Sequence, residues 1–520
     1  MLSNRFTSNN PKMKVRILLL SFALLSIFLV SGILLAIPRA YGFANGQNAS
    51  VVIGFTNFTS RNVTQPPTSS TLSSPAGLTF DSSGNLWIAD ASNGRVLEFK
   101  SPFSSGESAS TVLGANDFVS SNSLSSPSQS NMPEPYGIAF DSSGNLWVSD
   151  ALANRITEYK APLSNNENAS LVLGQANFTG GNNPDIVPTQ SNLNSPRGIT
   201  FDSTGNLWVA DSGWNRVVEF KAPFSMGESE SVVIGQTNFT SQYNIPGCPQ
   251  SCSATITQTA LNGPAAVAFD SSGNLWVADP HNGRVLKYSS PISTGESPNL
   301  ALGVADFTSK PFCVETYATA SCLDFPDYLA FDKSGTLWVN DDTNGRVLGF
   351  PQPFSMNESA TQVIGQPNFT TAVSVAGQFN ATQSNMYGND GIALDPSGNL
   401  WVSDGLNNRA LEFLAATTGS SSSTSSAGVS STSSSTTSSS AVSTSSISVA
   451  TTSPSLSATS SVATTTSVVA PPPTTAATTT SSSSSTSISL NYAAVVLVVI
   501  AVIASLGIFS RNRGRSERTT

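Results

Sequence analysis

Phe140-Asp-Ser-Ser-Gly-Asn-Leu-Trp-Val-Ser-Asp150 is the stretch that decides the fold, because the chain contains six near-copies of it. Two apolar segments flank a turn that ends in glycine, a pattern typical of a β-hairpin. The copies are marked by tryptophans 60 to 68 residues apart: Trp87, Trp147, Trp208, Trp276, Trp338 and Trp401. Self-similarity at this period predicts a repeat architecture in which each copy belongs to one structural unit.

Each repeat contains four apolar segments of strand length, which we label strands a to d. In the second repeat they are Tyr136–Asp141, Asn145–Asp150, Arg155–Lys160 and Ala169–Gly174. Four-stranded units at this period predict the blades of a β-propeller. The sixth repeat stops at Leu414 after strand c, and a segment that matches strand d, Ala49–Phe58, precedes the first repeat. The sequence therefore predicts an all-β, six-bladed propeller over residues 45–414, closed by an N-terminal strand that leaves no open blade edge.

The repeat consensus, Pro-x-Gly-Ile-Ala-Phe-Asp-x-x-Gly-Asn-Leu-Trp-Val-Ala-Asp-x-x-Asn-x-Arg-Val, resembles the NHL repeat family of β-propellers. The resemblance covers about 370 of the 520 residues, although the histidine that often precedes the arginine in the family is Gly or Asn here. It implies a propeller like those that bind protein or RNA, a peptide-amidating lyase domain, or more distantly a lactonase. A shared fold does not choose among these functions.

The flanking segments predict export and membrane attachment. Residues 1–44 contain basic residues, an apolar run at Ile17–Ile37 and a small-residue cleavage region, as in a signal peptide or signal anchor. Residues 415–490 are rich in Ser and Thr and indicate a disordered stalk. Residues 491–510 predict a transmembrane helix, and residues 511–520 a basic cytoplasmic tail. We therefore expect a single-pass protein of the cell membrane with an extracellular propeller and a cytoplasmic C-terminus.

The propeller region is strongly acidic. Residues 45–414 contain 14 basic and 31 acidic residues, which gives a net charge of −17. Such a domain repels the phosphate backbone of nucleic acid, and we expect no nucleic-acid partner. We expect the protein to be attached to the membrane through its C-terminal helix. The negative charge of the propeller region also favours cationic partners.

The four cysteines fall into two local pairs, Cys248 with Cys252 and Cys313 with Cys322. Disulfides are the expected state in an exported domain. Bonding within each local pair is favoured because each bond closes a short loop, while other connectivities stay open. The spacings Cys-x3-Cys and Cys-x8-Cys are irregular for a zinc site, which is the alternative.

The turn between strands b and c carries an aspartate and, five residues later, an arginine in every repeat. The pairs are Asp90/Arg95, Asp150/Arg155, Asp211/Arg216, Asp279/Arg284, Asp341/Arg346 and Asp404/Arg409. A carboxylate beside a guanidinium at the same place in six units is best explained as a structural ion pair that holds each loop. The long d-to-a connections share this face, so we expect a binding surface to be built here.

Positions that differ among otherwise identical repeats are candidates for a ligand site. At the start of strand a, expected to line the central channel, the column reads Ala76, Tyr136, Arg197, Ala265, Asp327 and Asp390. In the next column, Ala266 and Tyr328 replace glycine. We predict that the exceptions ring the channel mouth and bind a ligand: Tyr136, Arg197, Asp327, Tyr328 and Asp390. The alternative is that they are ordinary solvated residues at loop ends.

The favoured function is a non-catalytic binding or adhesion module, carried on the stalk, that recognises a protein or a glycan. The alternative is an extracellular metal-dependent hydrolase or lactonase, in which Asp327 and Asp390 on adjacent blades hold a divalent cation. No other cofactor and no catalytic residue is predicted. The single histidine, His281, lies in a b–c turn and excludes a zinc site made of three histidines.

Nine sites have the Asn-x-Ser/Thr pattern of N-glycosylation: Asn48, Asn57, Asn62, Asn168, Asn177, Asn238, Asn357, Asn368 and Asn380. Four of them, in the sequence Asn-Phe-Thr, follow strand d and are the glycosylation candidates: Asn57, Asn177, Asn238 and Asn368. The pattern has two explanations at this stage, which are sugar attachment and a turn sequence that belongs to the repeat itself.

Overall fold

The computed structural model describes residues 42–63, 65–181, 187–241, 256–310, 313, 317–372 and 381–416. The predicted transmembrane helix and cytoplasmic tail lie outside the described residues, as do nearly all of the predicted signal segment and stalk. Cys248, Cys252 and Asn380 also lie outside them. Within the described ranges, no helix has the length and apolar character needed to cross a membrane.

Strand β1 (Val51–Ile53) precedes six repeats that form six antiparallel four-stranded sheets. Blades 1 to 3 are β2 (Pro75–Phe80), β3 (Leu86–Asp90), β4 (Arg95–Phe99), β5 (Thr111–Leu113); β6 (Pro135–Phe140), β7 (Leu146–Asp150), β8 (Arg155–Tyr159), β9 (Leu171–Leu173); and β10 (Pro196–Phe201), β11 (Leu207–Asp211), β12 (Arg216–Phe220), β13 (Val232–Ile234). Blades 4 to 6 are β14 (Ala266–Phe269), β15 (Leu275–Asp279), β16 (Arg284–Tyr288), β17 (Leu300–Leu302); β18 (Pro326–Phe331), β19 (Leu337–Asp341), β20 (Arg346–Phe350), β21 (Gln362–Ile364); and β22 (Asn389–Leu394), β23 (Leu400–Asp404), β24 (Arg409–Phe413) with β1. Four b–c turns contain short 3-10 helices: Ala91–Asn93, Ser212–Trp214, Pro280–Asn282 and Gly405–Asn407.

The predicted six-bladed propeller is confirmed, and its innermost strands contact one another in a closed ring around the central channel. The predicted closure is also confirmed, because β1 pairs antiparallel with β24, with Val51 opposite Glu412 and Ile53 opposite Ala410. Every blade therefore has four strands, and no blade is left with an unpaired position for strand d.

The N-terminal segment completes more of blade 6 than strand d alone. Asn45 Oδ1 accepts a hydrogen bond of 3.0 Å from Val363 N, and Gly46 N donates to Val363 O at 3.2 Å. At the interface of blades 1 and 2, Asn165 and Asn166 of the c–d turn make the same two bonds to Val112, at 2.8 and 3.0 Å. Residues 43–47 therefore replace the c–d turn of blade 6 as well, which the strand-level prediction did not include.

The opening hairpin has a structural role between blades. Trp147 is buried, its indole nitrogen donates to Asp141 Oδ2 at 3.1 Å, and its ring meets Phe201 and Phe224 of the next blade edge-on at 5.9 and 4.8 Å. Gly144 has a φ of +82°, the left-handed turn conformation expected from its recurrence in all six copies. The repeated tryptophan thus packs one blade onto the next, in the edge-to-face geometry that aromatic rings prefer.

Candidate functional site

The repeated Asp/Arg turns form six buried ion pairs. Each guanidinium lies 2.6 to 3.1 Å from its carboxylate, and all twelve side chains are inaccessible to solvent. In blade 3, Arg216 also donates from Nη1 to Phe239 O and from Nη2 to Asn192 O, both at 2.8 Å. The pairs therefore fix the d-to-a connections to the b–c turns, and they are closed to a ligand.

Burial has an electrostatic cost in these turns. It raises the pKa of Asp150 to about 6, although the charge of Arg155 and the backbone N–H of Glu134 oppose the shift. Each aspartate is satisfied through both oxygens. Asp279, for example, accepts from Asn262 N at 2.7 Å and from Arg284 Nε at 2.8 Å. A buried ion pair requires such hydrogen-bond partners for the remaining polar atoms of both side chains.

The structure brings all five predicted channel-mouth residues into one network, which we call the mouth network: Tyr136, Arg197, Asp327, Tyr328 and Asp390. Tyr136 Oη lies 2.8 Å from Asp327 Oδ2 and 3.3 Å from Asp390 Oδ1. Arg197 Nη1 lies 3.3 Å from Tyr136 Oη and 3.4 Å from Asp327 Oδ1. Tyr328 stacks on Tyr136, with ring centroids 6.2 Å apart. Residues from blades 2, 3, 5 and 6 thus meet at one end of the channel.

The geometry indicates how protons are distributed in the mouth network. The single proton of Tyr136 Oη fits the short contact to Asp327, and the oxygen can then accept from Arg197 and from a protonated Asp390. Burial, followed by the charge of Asp327, raises the pKa of Asp390 well above its ordinary value. Asp327 also has a raised pKa because of burial, opposed by Arg197. We infer that Asp390 carries the proton and that Asp327 is the partner of Arg197.

Four residues that support the mouth network were not predicted from the sequence. Ser149 Oγ donates to Arg197 O at 2.6 Å, and Asn340 Nδ2 donates to Asp390 O at 3.1 Å, which fixes the backbone of both site residues. A Cβ on Gly77 would lie 2.6 Å from the Tyr328 hydroxyl, and a Cβ on Gly405 would lie 2.4 Å from Asp390 Oδ2. Comparison of the fourth position of strand b would have identified Ser149 and Asn340, where three other repeats have alanine.

A cavity of about 320 Å³ occupies the channel beyond the mouth network. Strand-a residues from all six blades line it, including Ile138, Val267 and Ile392, so most of the side chains around it are apolar. Tyr328 lines the cavity and also stacks on Tyr136, and it is only 8% exposed. Tyr328 therefore lies between this cavity and the charged side chains of the mouth network.

Other predicted residues have a peripheral or structural place. His281 is exposed in its 3-10 turn, its ring meets Phe325 edge-on at 5.0 Å, and partial burial lowers its pKa. Cys313 and Cys322 form a disulfide, as predicted. Cys322 O accepts from Arg346 Nη2 at 3.0 Å, so the disulfide loop is attached to the ion pair of blade 5.

The donor set at the mouth is a poor fit to a catalytic divalent cation. Asp327 and Asp390 supply two carboxylates, whereas Ca²⁺ takes six to eight oxygen ligands. Arg197 places a positive charge 3.4 Å from Asp327, and the described residues contain no group of three or more His, Cys, Asp or Glu side chains arranged to hold a metal. The cation remains a prediction that metal analysis of the purified protein would test, and we derive no reaction step from it.

Comparisons with known proteins identify the repeat. The NHL repeat model matches residues 72–99, 193–220 and 261–288, which lie in blades 1, 3 and 4. Teneurin-1 from Homo sapiens is 26% identical over 334 residues, a match that covers 58% of this chain and 11% of teneurin-1. The chain thus spans about a tenth of the length of that curated relative.

Several solved propellers are similar at low identity. A streptogramin B lyase is 12% identical, with a TM-score of 0.38 and coverage of 68% of this chain and 96% of its own. A gluconolactonase from Xanthomonas campestris is 12% identical, with a TM-score of 0.40 and coverage of 71% and 100%. At these scores neither likeness bears on the ligand or reaction of this chain. The chain is thus a six-bladed β-propeller, and three of its blades match the NHL repeat model.

Proposed function

We propose that the protein is a non-catalytic binding or adhesion module of the cell surface, which recognises a protein or glycan through its channel mouth and the surrounding d-to-a loops. The observation that carries the proposal is the convergence of the five predicted channel-mouth residues in one network. The side chain of Arg197 is 32% exposed, and Tyr136 and Asp390 are also partly exposed, whereas Asp327 is 2% exposed. A ligand would therefore contact Arg197, Tyr136 and Asp390, with Asp327 buried behind them.

The placement of the chain ends supports display on a stalk. Ala416 N donates to Gly42 O at 2.8 Å, so the chain enters and leaves the propeller at one point. That point follows strand c at Phe413, on the face of the a–b and c–d turns. Tyr136 lies at the opposite end of its blade, where Pro135 pairs with Asp150 beside the b–c turn. The point where the chain leaves the propeller and the mouth network therefore lie on opposite faces of the propeller.

Binding to glycan and protein arrays tests the proposal. The propeller of residues 42–416 is a suitable probe because all six blades in it are complete. We expect a ligand that binds the wild type and loses at least tenfold in affinity with Arg197→Ala. Lys333→Ala is the matched control, since Lys333 is a cation exposed in an a–b turn on the opposite face. Equal loss in both variants, or a ligand unaffected by Arg197→Ala, would contradict a site at the mouth.

A further inference from the structure

The turn that follows strand d uses its first side chain as a hydrogen-bond acceptor. In blade 2, Asn177 Oδ1 accepts from Thr179 N at 3.0 Å and from Thr179 Oγ1 at 2.9 Å. The turns that begin at Asn57, Asn238 and Asn368 have the same two bonds at 2.8 to 3.0 Å. The bonds that define the turn involve the oxygen of each amide and do not require its nitrogen.

Blades 1 and 4 demonstrate that the turn needs only this acceptor, because aspartate stands there instead. Asp306 Oδ1 accepts from Thr308 N and Thr308 Oγ1, both at 2.8 Å. Asp117 Oδ1 accepts from Val119 N at 2.9 Å and from Ser120 N at 2.7 Å. The hydrogen bonds that Asp306 accepts lower its pKa to about 2, as expected for an ionised acceptor. Retention of asparagine at four of the six positions is therefore not explained by the turn.

The four asparagines are accessible on the mouth face. All four side chains are exposed. The phenylalanine that follows each of them accepts a hydrogen bond through its carbonyl from the arginine of a b–c turn, as Phe239 O does from Arg216 at 2.8 Å. The turns therefore lie against the b–c turns at the rim of the face that carries the mouth network.

We propose that Asn57, Asn177, Asn238 and Asn368 are sites of N-linked glycosylation. In the transfer, Nδ2 forms a bond to the anomeric carbon of a glycosyl phosphate donor, the bond from that carbon to the phosphate oxygen breaks, the phosphate leaves as an anion and the amide loses one proton. A separate transferase and its glycosyl phosphate supply the reaction. The turn is kept after modification because the hydrogen bonds that define it end on Oδ1. The proposal rests on the predicted export and is independent of which ligand the mouth binds.

The distribution of these sites around the ring has a consequence for access. The glycans belong to blades 6, 2, 3 and 5, whereas blades 1 and 4, which are opposite each other, carry aspartate. The modified rim would have two unmodified sectors on opposite sides of the mouth. A macromolecular ligand would approach the mouth network across these sectors.

Peptide mass spectrometry of the protein purified from its native source tests the proposal directly. We expect a glycan mass on each of the four Asn-Phe-Thr peptides, and unmodified asparagine at these positions would overturn the proposal. Replacement of all four by aspartate should remove the glycans and leave the propeller folded, because blades 1 and 4 already use aspartate in the same turn.

Creation of a new Asn-Phe-Thr site in an existing turn tests whether this turn is accepted for glycosylation. Asp306→Asn creates the sequence Asn-Phe-Thr in a turn that already has the same hydrogen bonds, and we expect a fifth glycan at residue 306 in the native host. Asp306→Asn with Thr308→Val is the matched control: it should gain none, and Val119 of blade 1 shows that this turn accepts valine. If residue 306 stays unmodified in the single variant while the four native sites carry glycans, the inference that this turn is the accepted site is wrong.

Discussion

The Asp/Arg turns and the mouth network both bury charged groups, but they satisfy them in different ways. Each turn pairs one aspartate with one arginine, and this pair occurs six times; in blade 3 a second buried carboxylate, Glu230, also contacts the guanidinium. The mouth network has two carboxylates, one guanidinium and a shared phenol, and it occurs once. The repeated ion pairs have a structural role, whereas the single network combines an excess carboxylate with a partly exposed cation, which are the groups that the proposed ligand would contact.

The largest effect is expected when a turn is broken. Arg284→Ala leaves Asp279 buried without its cation and also removes bonds to Thr257 O and Ala260 O. Breaking a buried ion pair by removing one partner costs about 3–5 kcal/mol in the free energy of unfolding. Chemical denaturation would measure the loss. Arg197→Ala is the control from the mouth network, and a loss in Arg284→Ala no larger than in this control would contradict the distinction between the two regions.

A smaller effect is expected from the phenol at the centre of the mouth network. Tyr136→Phe keeps the stack on Tyr328 but leaves Asp327, Asp390 and Arg197 without the oxygen that joins them. Leaving buried polar groups unsatisfied costs about 1–3 kcal/mol. Tyr288→Phe is a matched control, because no partner for this buried hydroxyl is found among the described residues. A loss in Tyr136→Phe no greater than in Tyr288→Phe would indicate that the network does not stabilise the fold.

Blade 3 departs from the other turns and gives a test through pH. Arg216 contacts Glu230 at 2.9 Å as well as Asp211 at 2.6 Å, and one guanidinium cannot balance two buried carboxylates. Burial raises the pKa of Glu230 from 4.5 to about 9, against the opposing charge of Arg216. The folded protein therefore keeps a proton that the unfolded chain releases above its own pKa. The contribution of this Glu230 proton to the free energy of unfolding is complete below pH 4.5. It is lost as the pH rises to about 9.

Glu230→Gln should remove this pH dependence, since the amide retains an oxygen for Arg216 and does not titrate. We expect little difference from the wild type near pH 5 and a more stable variant near pH 9, by more than about 1.4 kcal/mol, the value of one unit of pKa shift, in urea unfolding at a series of pH values. Glu228→Gln is the control, because Glu228 is a neighbouring carboxylate that is not fully buried. Parallel pH profiles for the wild type and Glu230→Gln would show that Glu230 is ionised in the folded protein.

The sequence was sufficient for the ring and for part of the site. Six copies with a constant Asp/Arg spacing predict the blades, and the match of residues 49–58 to strand d predicts the closure. Repeat comparison also identified Tyr136 and Asp327, because a substitution in an otherwise constant column is visible without a structure. It could not predict that Arg197 contacts Asp327 rather than Asp390, since such contacts depend on side-chain reach across the channel.

The smallest loss of stability is expected at Asp390. We infer that its carboxyl group is protonated in the folded protein, so Asp390→Asn replaces one neutral group with another of similar shape. The free energy of unfolding should change by no more than about 0.5 kcal/mol near pH 3, below the pKa of the unfolded carboxyl group. Because the folded pKa of Asp390 is raised, wild-type stability should fall as the pH rises through that pKa, and the variant should not show this fall. Asp327→Asn is the comparison, since it removes the negative partner of Arg197 and should destabilise at pH 7. Equal losses in the two variants at pH 7 would mean that both carboxylates are ionised, and the mouth network would then hold two charged carboxylates against one guanidinium, unlike the one-to-one pairs of the turns.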